Sequence, residues 1–157
     1  MDIKELFENA QNDPSLLSKI DVNQLLNSLE NKNNDYLENK TLNDIHNDKF
    51  NALTELNLPD ETLRKYCDKL ADFRLVEDVY ELHKGKFVRW INTEKDNNYK
   101  LQNGGIVVDI KFLDNGLYIL CMNNAPRRFI QYKFDSCITF QKLSTEEQLI
   151  LMAYEKI

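Results

Sequence analysis

Glycine and proline are scarce in this chain, at 4 and 3 of 157 residues. So few glycines leave little material for the phosphate- and cofactor-cradling loops that depend on them. Cysteine is limited to Cys67, Cys121 and Cys137, with no two close in sequence. An odd, dispersed set excludes a disulfide scaffold and points to free, mostly buried thiols in a reducing, intracellular compartment. The two histidines, His46 and His83, have no neighbouring ligand at zinc-site spacing, so neither a metal nor a cofactor is expected. No window approaches 18 uninterrupted apolar residues, which argues against a membrane span. The start, Met1-Asp2-Ile3-Lys4-Glu5-Leu6-Phe7-Glu8, has neither a basic n-region nor an apolar h-region, so no secretory signal is expected.

Catalytic signatures are missing as well. There is no G-x-x-x-x-G-K-[ST], no G-x-S-x-G, no H-E-x-x-H and no D-x-D-x-D-G. Gly104-Gly105 leads into an apolar alternation and reads as a turn. A Cys137–His83 pair and a lone Asp109 carboxylate are the only catalytic candidates; a buried thiol and a solvent-facing aspartate explain them better. The chain is read as non-enzymatic.

What the sequence does contain is an ordinary globular mixture, 42% hydrophobic and 29% charged. Its length suits one domain, or a small domain with an appendage. Asparagine is abundant at 19 residues, 12 of them before Pro59, and lysine outnumbers arginine 15 to 5. Those residues have AT-rich codons, as in AT-rich protists, some bacteria and many large DNA viruses. The net charge of −6 is unevenly spread: −9 over residues 1–82, +5 over 83–143 and −2 over 144–157. An acidic arm joined to a basic middle suits an anion-binding module with a masking or partner-binding arm, or two solvated surfaces of opposite sign.

Helical periodicity dominates the first half. Residues 2–11 and 21–29 carry apolar faces, separated by Asp13-Pro14, and Asn31 to Asp35 reads as a polar linker. Thr41-x-x-Asp44 resembles a capping box before Leu42, Ile45, Leu53 and Leu56, with His46 beside that face. Pro59 with Asp60 and Glu61 opens a helix carrying Leu63, Tyr66, Cys67 and Leu70. After Phe73 the period falls to 2. Strands are expected at Phe87–Ile91, Ile106–Phe112, Leu117–Met122, Arg128–Phe134 and Ile138–Leu143, with a hairpin at Asp114-Asn115-Gly116. With no helix between them, these five strands must be antiparallel. Ser144-x-x-Glu147 caps a last helix. The expected strand core is Val88, Ile106, Val108, Ile110, Phe112, Ile119, Ile130, Tyr132, Phe134, Ile138 and Phe140.

The fold class is therefore α+β: an acidic helical segment over 1–75, a five-stranded antiparallel barrel over 76–143, and a C-terminal helix over 144–157 that packs on the barrel. Lys84-Gly85-Lys86-Phe87-Val88-Arg89-Trp90, a G-x-x-V opening strand, is followed by a polar loop, Gly104-Gly105-Ile106-Val107-Val108 and the Asn115-Gly116 hairpin. Over roughly 80–143 this resembles an SH3-like or Tudor-like small β-barrel. Ile138-Thr139-Phe140-Gln141-Lys142-Leu143-Ser144, with Glu146, Leu149 and Ile150, resembles an uncharacterised protein group of nucleocytoplasmic large DNA viruses. That group implies no activity.

The barrel resemblance implies binding, of proline-rich peptides, methylated side chains, DNA or RNA. Trp90, Tyr99, Tyr118 and Phe129 are the aromatics available for a methyl-lysine cage. Arg127-Arg128-Phe129 with Lys133 puts charge and a ring on one hairpin, and Arg89, Lys100 and Lys111 extend it, as phosphate contacts and base stacking require. Two functions stay open. One is a non-catalytic interaction or structural module that binds another protein through its acidic helices or barrel face. The other is a nucleic-acid-binding module on the basic face of the barrel.

Overall fold

The computed structural model describes residue 27 and residues 32–95, 98–124 and 127–155. The helices expected over 2–11 and 21–29 lie outside the described residues, Asn27 excepted. Among the described residues the chain runs through a 3-10 turn (Lys32–Leu37), α1 (Leu42–Thr54), α2 (Asp60–Lys69) and β1 (Phe73–Val76). A second 3-10 turn (Val79–Glu81) precedes β2 (Phe87–Asn92), β3 (Gly105–Leu113), β4 (Gly116–Asn124) and β5 (Arg127–Lys133). A third (Phe134–Ser136), β6 (Cys137–Lys142) and α3 (Thr145–Glu155) complete it. The class is α+β and every strand pairing is antiparallel. Two compact units divide the chain, one from residues up to Asn47 together with those from Leu143 onward, the other Asp48–Lys142.

In the first unit, two capping boxes set the helix starts. Asp44 N donates to Thr41 Oγ1 while Thr41 N donates to Asp44 Oδ2. Ser144 and Glu147 repeat the exchange at the start of α3. Glu147 is buried, and its other oxygen accepts the Tyr36 hydroxyl at 2.5 Å. Of the Asn31–Asp35 stretch expected as a linker, Asn31 lies outside the described residues and 32–35 enter a 3-10 turn. Leu37 at its end is fully buried with Ile45, Leu143, Ile150 and Leu151, and that apolar anchor holds a polar sequence in place.

In the second unit, the sheet has six strands in the order β1-β6-β2-β3-β4-β5. The additional strand is Phe73–Val76, which pairs with Leu75↔Phe140 in register on β6. At four residues it is too short to show a period. Pro59 stands at the N-cap of α2, one residue before the expected first-turn position. Lys49, almost fully buried, donates to the carbonyls of Leu70 (2.7 Å) and Ala71 (3.2 Å), closing the end of α2. Burial pushes its pKa down, against the pull of Cys67 and Asp72.

Two cores lie on opposite faces of this sheet. The first gathers Val76, Leu82, Val88, Trp90, Val107, Ile119, Cys121 and Tyr132, with Ile110, Ile130 and Phe134 packed on it. The second joins Leu53, Tyr66 and Leu70 of the helices to Phe73, Ile91, Leu101 and Phe140. Among the described residues, this second core takes nothing from β3, β4 or β5.

The expected inward set on β3 needs correction. A bulge falls between Val107 and Asp109, so Val107 pairs with Cys121 and Asp109 with Leu120. An extra residue reverses the alternation beyond it. Val107, 1% exposed, faces the first core before the bulge and Ile110 faces it after, so Ile106 is on the opposite face. Phe112, expected inside, shares the face of Ile110 but lies past the core next to the hairpin and is 78% exposed.

The β3–β4 hairpin forms where expected, with Asp114-Asn115 as its two loop residues and Gly116 opening β4. Gly116 takes φ +139, and Gly104, ahead of β3, takes +87. A Cβ on Gly104 would lie 2.0 Å from Val88 O. The Gly104-Gly105 turn is therefore a close crossing of two backbones.

Candidate functional site

Alternation along β5 separates the residues that the sequence placed together. Ile130 and Tyr132 belong to the first core, so Arg128 shares their face. Arg127, Phe129, Gln131 and Lys133 project from the other. The register carries that other face across the sheet. Phe87 pairs with Ile106, Ile106 with Met122 and Met122 with Phe129. These four apolar side chains form one row across four strands, about 14 Å at the usual interstrand spacing of about 4.8 Å. Phe129 is 63% exposed and Phe87 37%, while Ile106 and Met122 are half-buried. Phe73 meets Phe87 edge-on at 6.2 Å, where the helix-covered part of the face ends and, among the described residues, a bare part begins.

Basic groups border the row. Lys111 and Lys133 flank Tyr118 through the register, and Arg127 pairs with Asn124. Asp109 is on the same face, but its carboxylate is engaged by Lys84 at 3.4 Å and by Ile110 N at 2.9 Å. It is a tethered surface aspartate, as the solvent-facing reading expected.

The remaining expected site residues lie elsewhere. Trp90 is 5% exposed and stacked on Tyr132, with ring centroids 4.1 Å apart and planes 15° apart. Tyr99, at φ +46, packs against the second core, and its carbonyl accepts the Tyr66 hydroxyl at 3.0 Å. Tyr118 and Phe129 are on the bare face. The four aromatics proposed for a cage therefore do not converge. Arg89 is half-buried and donates from Nε to Gln102 O at 2.8 Å; burial lowers its pKa.

A cleft of about 270 Å³ opens on the Arg128 side of β5, lined by Trp90, Lys100, Gln102, Asn103, Gly104, Asn123, Arg128 and Ile130. Sequence reasoning named Trp90, Lys100 and Arg128 but not their meeting point. The strand register that places Asn123 opposite Arg128 was the missing information. A larger, shallow cleft of about 660 Å³ lies between α1 and α2, lined by Phe50, Asp60, Leu63, Arg64, Cys67 and Asp68.

None of the thiols is activated. Burial pushes Cys121 up to about 12 and Cys137, with Glu94 adding, up to about 11. Burial raises Cys67 as well. All three stay protonated at neutral pH, the opposite of what a nucleophile needs. Among the described residues, no three His, Cys, Asp or Glu side chains group as metal ligands, and no helix is long and apolar enough to cross a membrane. No family model, no curated protein and no solved structure matches this chain.

Proposed function

We propose that this protein is a non-catalytic interaction module that docks another protein on the bare sheet face of β2–β5. The observation that carries this reading is the cross-strand row Phe87, Ile106, Met122 and Phe129, apolar and partly exposed beside a helix-covered half of the same face. Rows of this kind mark contact surfaces. The basic border of Lys111, Arg127 and Lys133 selects a partner segment with an apolar stripe and acidic flanks. Strand order β6-β2-β3-β4-β5, with a 3-10 turn just before β6, supports the likeness to SH3-like barrels, whose usual role is binding. The Asn- and Lys-rich composition supports a viral source, and the protonated thiols suit an intracellular setting.

A displayed 12-residue peptide library selected on the protein, then counter-selected on Phe129→Glu, tests the reading. The expected winners alternate aliphatic residues with Asp or Glu and lose binding to the variant. Equal enrichment on native and variant protein would refute the docking face. The nucleic-acid alternative draws on the same face, where Phe129 shares its side of β5 with Arg127 and Lys133. It requires oligonucleotide binding that weakens steeply between about 50 and about 200 mM salt. Loss of that binding in Arg127→Glu with Lys133→Glu would assign the face to nucleic acid instead.

A further inference from the structure

The cleft on the opposite face from the docking row has the chemistry of an anion site. Its walls are held by backbone bonds, by Arg89 and by one lining side chain, Asn123, and these bonds leave the Lys100 and Arg128 side chains out. Gln102 N donates to Trp90 O at 2.9 Å, Arg89 Nε to Gln102 O at 2.8 Å and Asn123 Nδ2 to Gly104 O at 3.0 Å. Leu101, next in line, bridges Ile91, and its N–H donates to the Tyr66 hydroxyl at 3.1 Å. The Gly104 backbone is pressed against Val88, where a Cβ would not fit. The loop forming one side is thus fastened to β2 and β4 before any ligand arrives, which is the preorganisation that lowers the cost of binding.

Two of the eight lining residues, Lys100 and Arg128, are cations, and none is a carboxylate. That is a marked local excess in a chain with 26 acidic and 20 basic side chains. Neither cation has a side-chain hydrogen bond or ion pair among the described residues. The carboxamides of Gln102 and Asn103 add neutral donors, and Trp90 and Ile130 supply an apolar wall. A guanidinium fork and a separate ammonium suit a tetrahedral dianion with several oxygens better than a planar monoanion. The volume is near the lower end of small-molecule sites, which run from about 300 Å³ upward. It suits a phosphate on a small carrier.

We infer that the cleft between the Lys100–Gly104 loop and β4–β5 binds a terminal phosphate monoester, with Arg128 and Lys100 holding the phosphate and the Trp90–Ile130 wall meeting the carrier. The inference is independent of the docking face, since Arg128 and Arg127 project from opposite sides of β5.

Trp90 is the only tryptophan, so intrinsic emission reads this site directly. The experiment titrates full-length protein with AMP, adenosine, and an eight-nucleotide oligothymidylate with and without a 5′-phosphate. Tryptophan emission and equilibrium dialysis are both recorded. Saturable binding of AMP is expected, with adenosine weaker by about tenfold or more. Arg128→Gln and Lys100→Gln each lose about tenfold, the loss expected for one charged hydrogen-bond partner, while Arg127→Gln binds as native. Both substituted side chains are exposed, and far-UV CD verifies that the variants stay folded. If the phosphorylated oligonucleotide binds as tightly as AMP through Arg128, the phosphate comes from a polynucleotide end; if AMP alone binds, it comes from a small metabolite. Absence of binding by AMP and by the phosphorylated oligonucleotide up to about 10 mM, weaker than any affinity of use, overturns the inference. Binding that Arg128→Gln leaves unchanged overturns it as well.

Discussion

A single backbone atom decides how Gly104 behaves. Its φ of +87 is costly for any other residue, and an added Cβ would meet Val88 O at 2.0 Å. The neighbour is a strand carbonyl and cannot swing away. Gly104→Ala is therefore expected to cost about 3 kcal/mol, read as a drop in the urea midpoint, whereas Gly85→Ala, which meets nothing, costs only the strain of its positive φ, about 1 kcal/mol. Cys121 offers a pH test at the same scale. Its thiol sits at about 12 in the folded protein against an ordinary 9.0. Above about pH 9 the unfolded chain loses a proton that the native chain keeps, so the native state binds more protons and stability falls as pH rises. The full contribution is present below pH 9. By about pH 10.5 the loss from this one group is on the order of 2 kcal/mol. Urea midpoints at pH 8 and 10.5 should therefore fall further in native protein than in Cys121→Ala. An equal fall in both would remove Cys121 as the cause.

Strand β3 shows what an element can hide from its own sequence. Ile106 to Phe112 alternates well enough to place Ile106, Val108, Ile110 and Phe112 on one face. The bulge after Val107 breaks that run: Ile106 falls on the opposite face and Ile110 packs against the first core, while Phe112 shares the face of Ile110 but lies past the core, next to the hairpin. Val107→Asp is expected to abolish cooperative melting, because it puts an unpaired charge into a closed apolar site. Phe112→Asp should stay within about 0.5 kcal/mol of native, as surface changes do. The reverse order of effects would refute the placement of Val107 inside the core and Phe112 outside it. Helix α3 makes the opposite point, since Ser144 and Glu147 were legible three residues apart and the exchange of hydrogen bonds is present. Ser144→Ala should cost about 1 kcal/mol, the usual value of a lost N-cap, measured by chemical denaturation.

For the molecule as a whole, the distribution of apolar surface carries the functional argument. The second core covers the sheet over β1, β6 and β2 and stops there, so Ile106, Met122 and Phe129 continue the face without a lid among the described residues. Phe129→Ser should leave the melting temperature near native, because the side chain is 63% exposed, while abolishing capture of the selected peptides. A large loss of stability would mean that the ring serves the fold and not a partner.

Much was readable from local chemistry. The capping boxes, the Asp114-Asn115-Gly116 hairpin, the helix begun by Pro59 and the antiparallel strands follow from contacts a few residues apart, which a linear pattern records. Of the three cysteines expected to be mostly buried, Cys121 is, while Cys67 and Cys137 are half-buried. Long-range pairing was not readable in this way. Strand β1 is recognisable only through its partner β6, and the bulge in β3 only through its register against β4. The basic, aromatic run Arg127-Arg128-Phe129 is one patch in sequence and two sites in space, because adjacent strand residues point to opposite faces. Tertiary structure alone decided which of those faces was filled by Trp90 and Tyr132, which was left bare beside Met122, and where Arg128 met Lys100. Those outcomes depend on which strands lie side by side, and residues distant in the chain settle that by packing.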